Sequence, residues 1–251
     1  MARVIGIVSG KGGVGKTVTT VNLSAAMMNL GENVITVDAD IKMSGLGLQL
    51  GMYHFPVTLN DVLMSNANLL EALYIHSSGL RIIPASLSIR DVRINRLNKV
   101  LADPNIENNT ILVDSPPGLG KNALAVLKAC EEIVVVTTAE IPSIADVMKT
   151  IKAAEKNKCK ILGVVVNRYK RRFSEQVKPK EIEFGLGLPV IGIVPEDKNI
   201  TKSLFRRTPC VFSKPYSSAS VEFKKIAGRI LDKDYKEKRY LLKRLLWKLK
   251  R

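Results

Sequence analysis

No apolar run in this 251-residue chain approaches the roughly 18 residues that a helix needs to cross a bilayer. The apolar residues come in short bursts, such as residues 133–138 and 161–166, so a helical membrane-spanning protein is excluded. The opening MARVIGIVSG has one early arginine but no separate apolar segment and no small-residue cleavage site. No secretory signal is read there, and a cytoplasmic location is expected. Cysteine is scarce. Cys130, Cys159 and Cys210 stand far apart without C-x-x-C spacing, and His54 and His76 are the only histidines that could join them. That pattern argues against zinc, an iron–sulfur cluster or a disulfide framework, and leaves three small buried hydrophobes. Internal repeats and low-complexity segments are missing as well.

Acids are short relative to bases, 23 against 39, for a formal charge of +16. A balance this basic points to a polyanionic partner, nucleic acid or an anionic membrane. Much of it is concentrated: residues 236–251 hold eight lysines and arginines against Glu237 and carry +7.

What is plentiful is alternation. Short β-branched runs, expected as strands near residues 3–9, 33–38, 110–114, 133–138, 161–167 and 190–194, are separated by longer amphipathic segments. A hairpin is expected from 73–76 to 80–84, and helices near 16–30, 89–101, 121–129, 143–157, 179–183, 200–206 and 221–231. This is an α/β pattern: a mainly parallel sheet flanked by helices on both faces, three layers in all. Continuous apolar strands such as Ile-Val-Val-Val mean a sheet covered on both sides, with ligand sites at the carboxyl ends of its strands. Composition shifts at residues 232–234, giving a domain over 1–232 and a basic tail over 233–251.

Gly10-Lys11-Gly12-Gly13-Val14-Gly15-Lys16-Thr17 satisfies G-x-x-x-x-G-K-[ST] and lies directly after an apolar strand, opening a helix. Glycines let backbone N–H groups turn inward around a phosphate, and the helix N-terminus adds its positive end. Lys16 supplies charge to the β and γ oxygens, and Thr17 offers a hydroxyl to Mg²⁺. Two strand ends deliver acids nearby in sequence order, Asp38-Ala39-Asp40 and Asp114-Ser115-Pro116-Pro117-Gly118. An acid beside such a loop can hold Mg²⁺, and a second can orient an attacking water.

With its second lysine, Lys11, the run KGGVGKT resembles the deviant Walker A group of P-loop ATPases, the MinD/ParA family. The D-x-D and D-x-P-x-G loops are similar to that family's switch regions. The resemblance spans nearly the whole chain and is nearest to the MinD type, in archaeal-looking form. It implies ATP as substrate with Mg²⁺, a homodimer in the ATP state, and Lys11 reaching across that dimer to the partner's ATP. It further implies that Asp40 positions the hydrolytic water, Asp38 supports the Mg²⁺ network and Asp114 takes the Walker B place. Asn167, ending a strand, and Pro195-Glu196-Asp197, similar to the family's P-E-D segment, are expected to line adenine. The absence of a guanine-reading N-K-x-D at Asn167-Arg168-Tyr169-Lys170 favours ATP over GTP. Two positions depart from the pattern. Val18 replaces a second threonine, leaving its backbone N–H for the α-phosphate, and Gly45 stands where the MinD type carries asparagine.

On a helix of 100° per residue, Leu241, Leu242, Leu245, Leu246 and Leu249 share an arc of about 140°, with Lys243, Arg244, Lys248 and Lys250 outside it. The tail reads as an amphipathic helix for an anionic membrane, and resembles the MinD membrane-targeting helix. Packing on its own domain, or DNA contact as in a ParA-like partition ATPase, are the competing readings; a DNA arm has little use for five leucines on one face. The implied function is spatial positioning, of the division site or another structure such as a flagellum or pilus. A protein activator or cargo is expected but not identified.

Overall fold

The computed structural model describes residues 2–87, 92–170, 172–233 and 235. The tail leucines Leu241, Leu242, Leu245, Leu246 and Leu249, and the expected basic helix they belong to, lie outside the described residues.

Eight strands are formed: β1 (Arg3–Val8), β2 (Val34–Asp38), β3 (Tyr74–Ile75), β4 (Arg81–Ile83), β5 (Thr110–Asp114), β6 (Glu132–Thr138), β7 (Lys160–Tyr169) and β8 (Val190–Pro195). They make one sheet in the order β3-β4-β2-β5-β1-β6-β7-β8. All neighbours run parallel except β3, which pairs antiparallel with β4 as the expected hairpin. The helices are α1 (Lys16–Asn29), α2 (Leu46–Leu50), α3 (Leu59–Leu63), α4 (Leu97–Leu101) and α5 (Lys121–Ala129). They continue with α6 (Ile141–Lys156), α7 (Pro179–Leu186), α8 (Lys198–Phe205), α9 (Cys210–Ser213) and α10 (Ser218–Ile230).

The central strands are mostly apolar in their middles because both faces are covered, and successive residues serve different cores. Val4, Val8, Ile35, Val37, Ile111, Val113, Ile133 and Val135 face one core with α3, α4, α5 and α6. Ile5, Ile7, Val34, Leu112, Val134 and Val136 face the other with α1, α2 and α10. After β1 the chain moves to one side of the sheet for β2, and after β5 to the other for β6. The carboxyl end of β1 is therefore the switch point, where neighbouring connections diverge and leave a crevice.

The strand expectations hold within a residue or two. The helix expected over 89–101 is a correction: residues 88–91 are outside the described residues, and the remainder of the segment forms a single 3₁₀ turn at Ile94–Arg96 and the short α4. The short α2, α3 and α9 were not expected, since four or five residues cannot display a 3.6 periodicity. Cys130, Cys159 and Cys210 are buried thiols, as expected. Among the described residues no helix is long and apolar enough to cross a membrane.

Phe223 on α10 is the largest fully buried side chain and packs in the core beneath α1. Phe223→Ala is expected to destabilise the fold by about 3–5 kcal/mol through lost transfer energy and the cavity left behind. A urea unfolding midpoint within error of wild type would contradict this packing.

Candidate active site

The loop from β1 to α1 carries the phosphate-loop sequence. Gly15 caps α1 at φ 92°, in the left-handed region, and a Cβ there would collide with the amide of Asn167. At Gly10 a Cβ would lie 2.5 Å from the backbone of Asp146 on α6, so glycine is required by close approach. The loop is pinned from three sides. Ser9 Oγ donates to the Lys11 carbonyl at 2.7 Å, Gly118 N–H donates to the Ser9 carbonyl at 3.1 Å, and Asn167 Nδ2 donates to the Val14 carbonyl at 2.8 Å.

Parallel pairing of β2 with β5 sets Asp38 directly opposite Asp114, and both side chains are buried. Asp38 is held by four donors. Asp40 N–H reaches Oδ1 at 3.1 Å, while Ser44 Oγ at 2.9 Å and the N–H groups of Gly45 and Leu46 at 3.1 Å reach Oδ2. Asp114 Oδ1 accepts from Thr20 Oγ1 at 3.1 Å, and the Thr17 hydroxyl also bonds this carboxylate. Burial raises both carboxyls above the ordinary aspartate range, and each one's charge opposes the other's or that of Asp40. Lys16 is buried too, which lowers its pKa, while Asp114 and Asp40 oppose that shift.

The structure thus brings Lys16, Thr17, Asp38, Asp40 and Asp114 together at the carboxyl ends of β1, β2 and β5. Lys11 points elsewhere: its Nζ pairs with Glu140 Oε2 at 3.3 Å, just before α6. Of the expected adenine residues, Asn167 commits its amide to the loop, and Glu196 pairs with Lys170 at 3.4 Å. Asp197 caps two helices. Its Oδ1 accepts from Asn199 N–H at 2.9 Å at the start of α8, and its Oδ2 from Ser218 Oγ at 3.0 Å and Ala219 N–H at 3.2 Å at the start of α10. Burial would raise its pKa, but these donors outweigh it and the net shift is downward. Gly45 donates its N–H to Asp38, and a Cβ there would stand 3.7 Å from Thr17 Oγ1.

Sequence reasoning missed Thr20, Ser44 and Glu140. Thr20 had a signal, lying one turn beyond Thr17 on the same face of α1. Ser44 and Glu140 act through folds of the chain that spacing does not encode.

The site's chemistry fits Mg²⁺ with a nucleotide. Nothing lies within 4 Å of a Cβ position on Gly13, so the loop leaves open space beside its backbone. Two buried carboxylates and the Thr17 hydroxyl form an all-oxygen donor set of the type hard cations take. Residues 10–18 supply backbone N–H groups, and Lys16 a buried ammonium, for phosphate oxygens.

Two adjacent buried acids favour function at a cost in stability. With Asp114 raised from 3.8 to about 7, folding binds protons, so the penalty grows as pH rises through that window. Asp114→Asn is expected to stabilise the metal-free protein by roughly 1–3 kcal/mol at pH 8, less at pH 5, and to abolish stabilisation by Mg²⁺ and ADP. Lower metal-free stability at pH 8, measured by urea unfolding, would contradict this.

A family model described as ParA, the NUBPL iron-transfer P-loop NTPase, matches residues 1–231. The chain is 37% identical to an uncharacterized ATP-binding protein of Methanocaldococcus jannaschii over 238 residues, 94% of this chain and 90% of that one. Among solved structures it is similar to the septum site-determining protein MinD of Pyrococcus horikoshii in complex with Mg-ADP, with a TM-score of 0.86 and 33% identity over 92% of this chain and 96% of that one. It is also similar to the MinC:MinD cell division protein complex of Aquifex aeolicus, with a TM-score of 0.83 and 31% identity over 95% of this chain and 99% of that one. A buried acid pair beside a lysine-bearing phosphate loop is what such ATPases need, and this chain belongs to the MinD/ParA family of Mg²⁺-dependent P-loop ATPases.

Proposed function

We propose that this ATPase is a MinD-type positioning switch: ATP joins two copies face to face, the dimer holds an anionic membrane surface, and hydrolysis releases both contacts. The observation that carries the dimer is the direction of Lys11. Its amine leaves its own phosphate loop for Glu140, on an open surface where Ile141 is 74% exposed and Gly12 lies beside Pro117. A cation that avoids its own phosphate site is placed to serve a second one, and stabilises transition-state charge only once a partner has arrived.

Within each copy, residues 12–17 bind the phosphates through backbone N–H groups, and Lys16 places its charge at the β and γ oxygens. Thr17, Asp38 and Asp114 hold Mg²⁺, which when bound neutralises phosphate charge. Asp40 orients the attacking water, and its own place is set by N–H donation to Asp38. In this reading Asn167, Pro195, Glu196 and Asp197 line adenine.

Residues 1–232 are the ATPase domain and 233–251 the anchor in this reading. One basic helix binds weakly, whereas two on the same dimer make the second insertion intramolecular. Location is then the inner face of the cell membrane, reversibly. The names of similar proteins support division-site placement as the role, and the MinC:MinD complex supports a protein partner. Iron transfer, named by the family description, is disfavoured because Cys130, Cys159 and Cys210 are all buried and stand apart in sequence.

Light scattering tests the switch. With ATP and Mg²⁺ the wild type is expected to dimerise, Asp40→Ala to accumulate dimer with turnover reduced at least about tenfold, and Lys11→Ala to stay monomeric. Wild-type monomer under saturating ATP, with no dimer for Asp40→Ala, would sink the reading. Leu245→Glu is expected to lose sedimentation with anionic vesicles while keeping ATP affinity. Sedimentation equal with ADP and ATP would contradict nucleotide-controlled anchoring.

A further inference from the structure

One corner of the domain combines exposed aromatics with exposed basic side chains. It is built by the segment through α2 and by the segment through α8 and α9. Phe205, the last residue of α8, is 85% exposed, beside the exposed Leu204, and Tyr53 after α2 is 52% exposed. Arg207 joins the two segments by stacking over the Tyr53 ring at 5.2 Å. Lys202, Arg206 and Arg207 are exposed. Residues 199–213 contain Lys202, Arg206 and Arg207 and no aspartate or glutamate.

The nucleotide site uses none of these side chains. Core packing does not account for them either, since a large apolar ring at 85% exposure contributes little to folding. Aromatic and leucine side chains among arginines and lysines, without acids, form a surface suited to the boundary between anionic headgroups and acyl chains.

Position gives the second argument. His76, in the β3–β4 turn, contacts the backbone of Leu50 and of Arg207, so the corner sits against that turn. On its far side the same turn meets α1, where a Cβ on Gly79 would lie 3.6 Å from Met28. The end of α1 is in turn held by Lys233, whose Nζ donates to the Leu30 carbonyl at 3.2 Å and to Glu32 at 3.1 Å. Continuous contacts thus run from the corner to Lys233, close to the end of the described residues. Through these contacts Arg207 and Lys233 both lie toward the amino-terminal edge of the sheet, away from the acid pair.

We propose that this corner is a second membrane contact, in which Phe205, Leu204 and Tyr53 enter an anionic leaflet and Lys202, Arg206 and Arg207 meet its headgroups. It rests on the membrane reading above for its partner, but on none of residues 236–251 for its surface. The corner fixes how the domain lies on the bilayer, with the nucleotide face turned away and free for a second copy.

The test uses the full chain carrying Trp247→Phe and Phe205→Trp, so that tryptophan fluorescence reports the corner alone. A blue shift is expected with phosphatidylglycerol vesicles and none with phosphatidylcholine. Emission unchanged by phosphatidylglycerol would overturn the proposal. Lys202→Glu with Arg206→Glu is expected to weaken sedimentation with phosphatidylglycerol vesicles by about tenfold or more, with ATP affinity unchanged. If that variant kept vesicle binding but lost binding to duplex DNA in a shift assay, the corner would be a nucleic-acid surface instead. Leu245→Glu separates the two readings. A fluorescence shift that persists while Leu245→Glu sediments like wild type removes the tail anchor and leaves the corner; a silent probe while Leu245→Glu abolishes sedimentation does the reverse.

Discussion

The site is organised by two carboxylates set side by side. Parallel register between β2 and β5 puts Asp38 opposite Asp114 where solvent does not reach, and the neighbouring structure answers that electrostatic cost. Asp38 gathers four donors from residues 40–46, and in doing so bends that segment over the phosphate loop and starts α2. Asp114 takes hydroxyls from α1, and buried Lys16 supplies the balancing charge. The metal-free site is therefore under electrostatic tension that a divalent cation relieves, which makes the nucleotide response depend on Mg²⁺.

The central strands were legible because they are buried on both faces and so read as short apolar runs. The phosphate loop was legible because close approach leaves no choice of residue. Gly10 has Asp146 against it and Gly15 has Asn167, so the chemistry of the turn is written into the glycines. The α2 and α9 turns were not legible, since they are held by contacts distant in sequence, whereas α3 had a local signal in the Thr58–Asp61 capping box that went unread. Val211 at α9, for example, donates its N–H to Asn22 on α1 at 3.2 Å. Asp197 shows the same limit at a single residue: resemblance to the family's P-E-D segment implied a nucleotide contact, while the fold also uses its carboxylate to start α8 and α10. Lys11 was recognisable as a second loop lysine, but its pairing with Glu140 depends on how α6 docks beside the loop.

The two ends of the domain divide the work. Strand carboxyl ends collect the phosphate loop, the acid pair and the outward lysine, the parts through which a nucleotide would join two copies. The opposite edge collects the β3–β4 turn, the end of α1, the root of the basic tail and the aromatic corner beside Arg207. In the proposed reading, this layout would let a surface and a partner bind at once, because neither contact would cover the other.

Thermal unfolding of the wild-type protein with ADP, compared in Mg²⁺ and in EDTA, tests the dependence on the acid pair most directly. With nucleotide at about 100 times its dissociation constant, Mg²⁺ and ADP together are expected to stabilise the fold by about 2.7 kcal/mol. ADP in EDTA should add little, because Lys16 alone cannot balance both carboxylates and the added phosphates. Equal stabilisation by ADP with and without Mg²⁺ would contradict the claim that Asp38 and Asp114 govern the site.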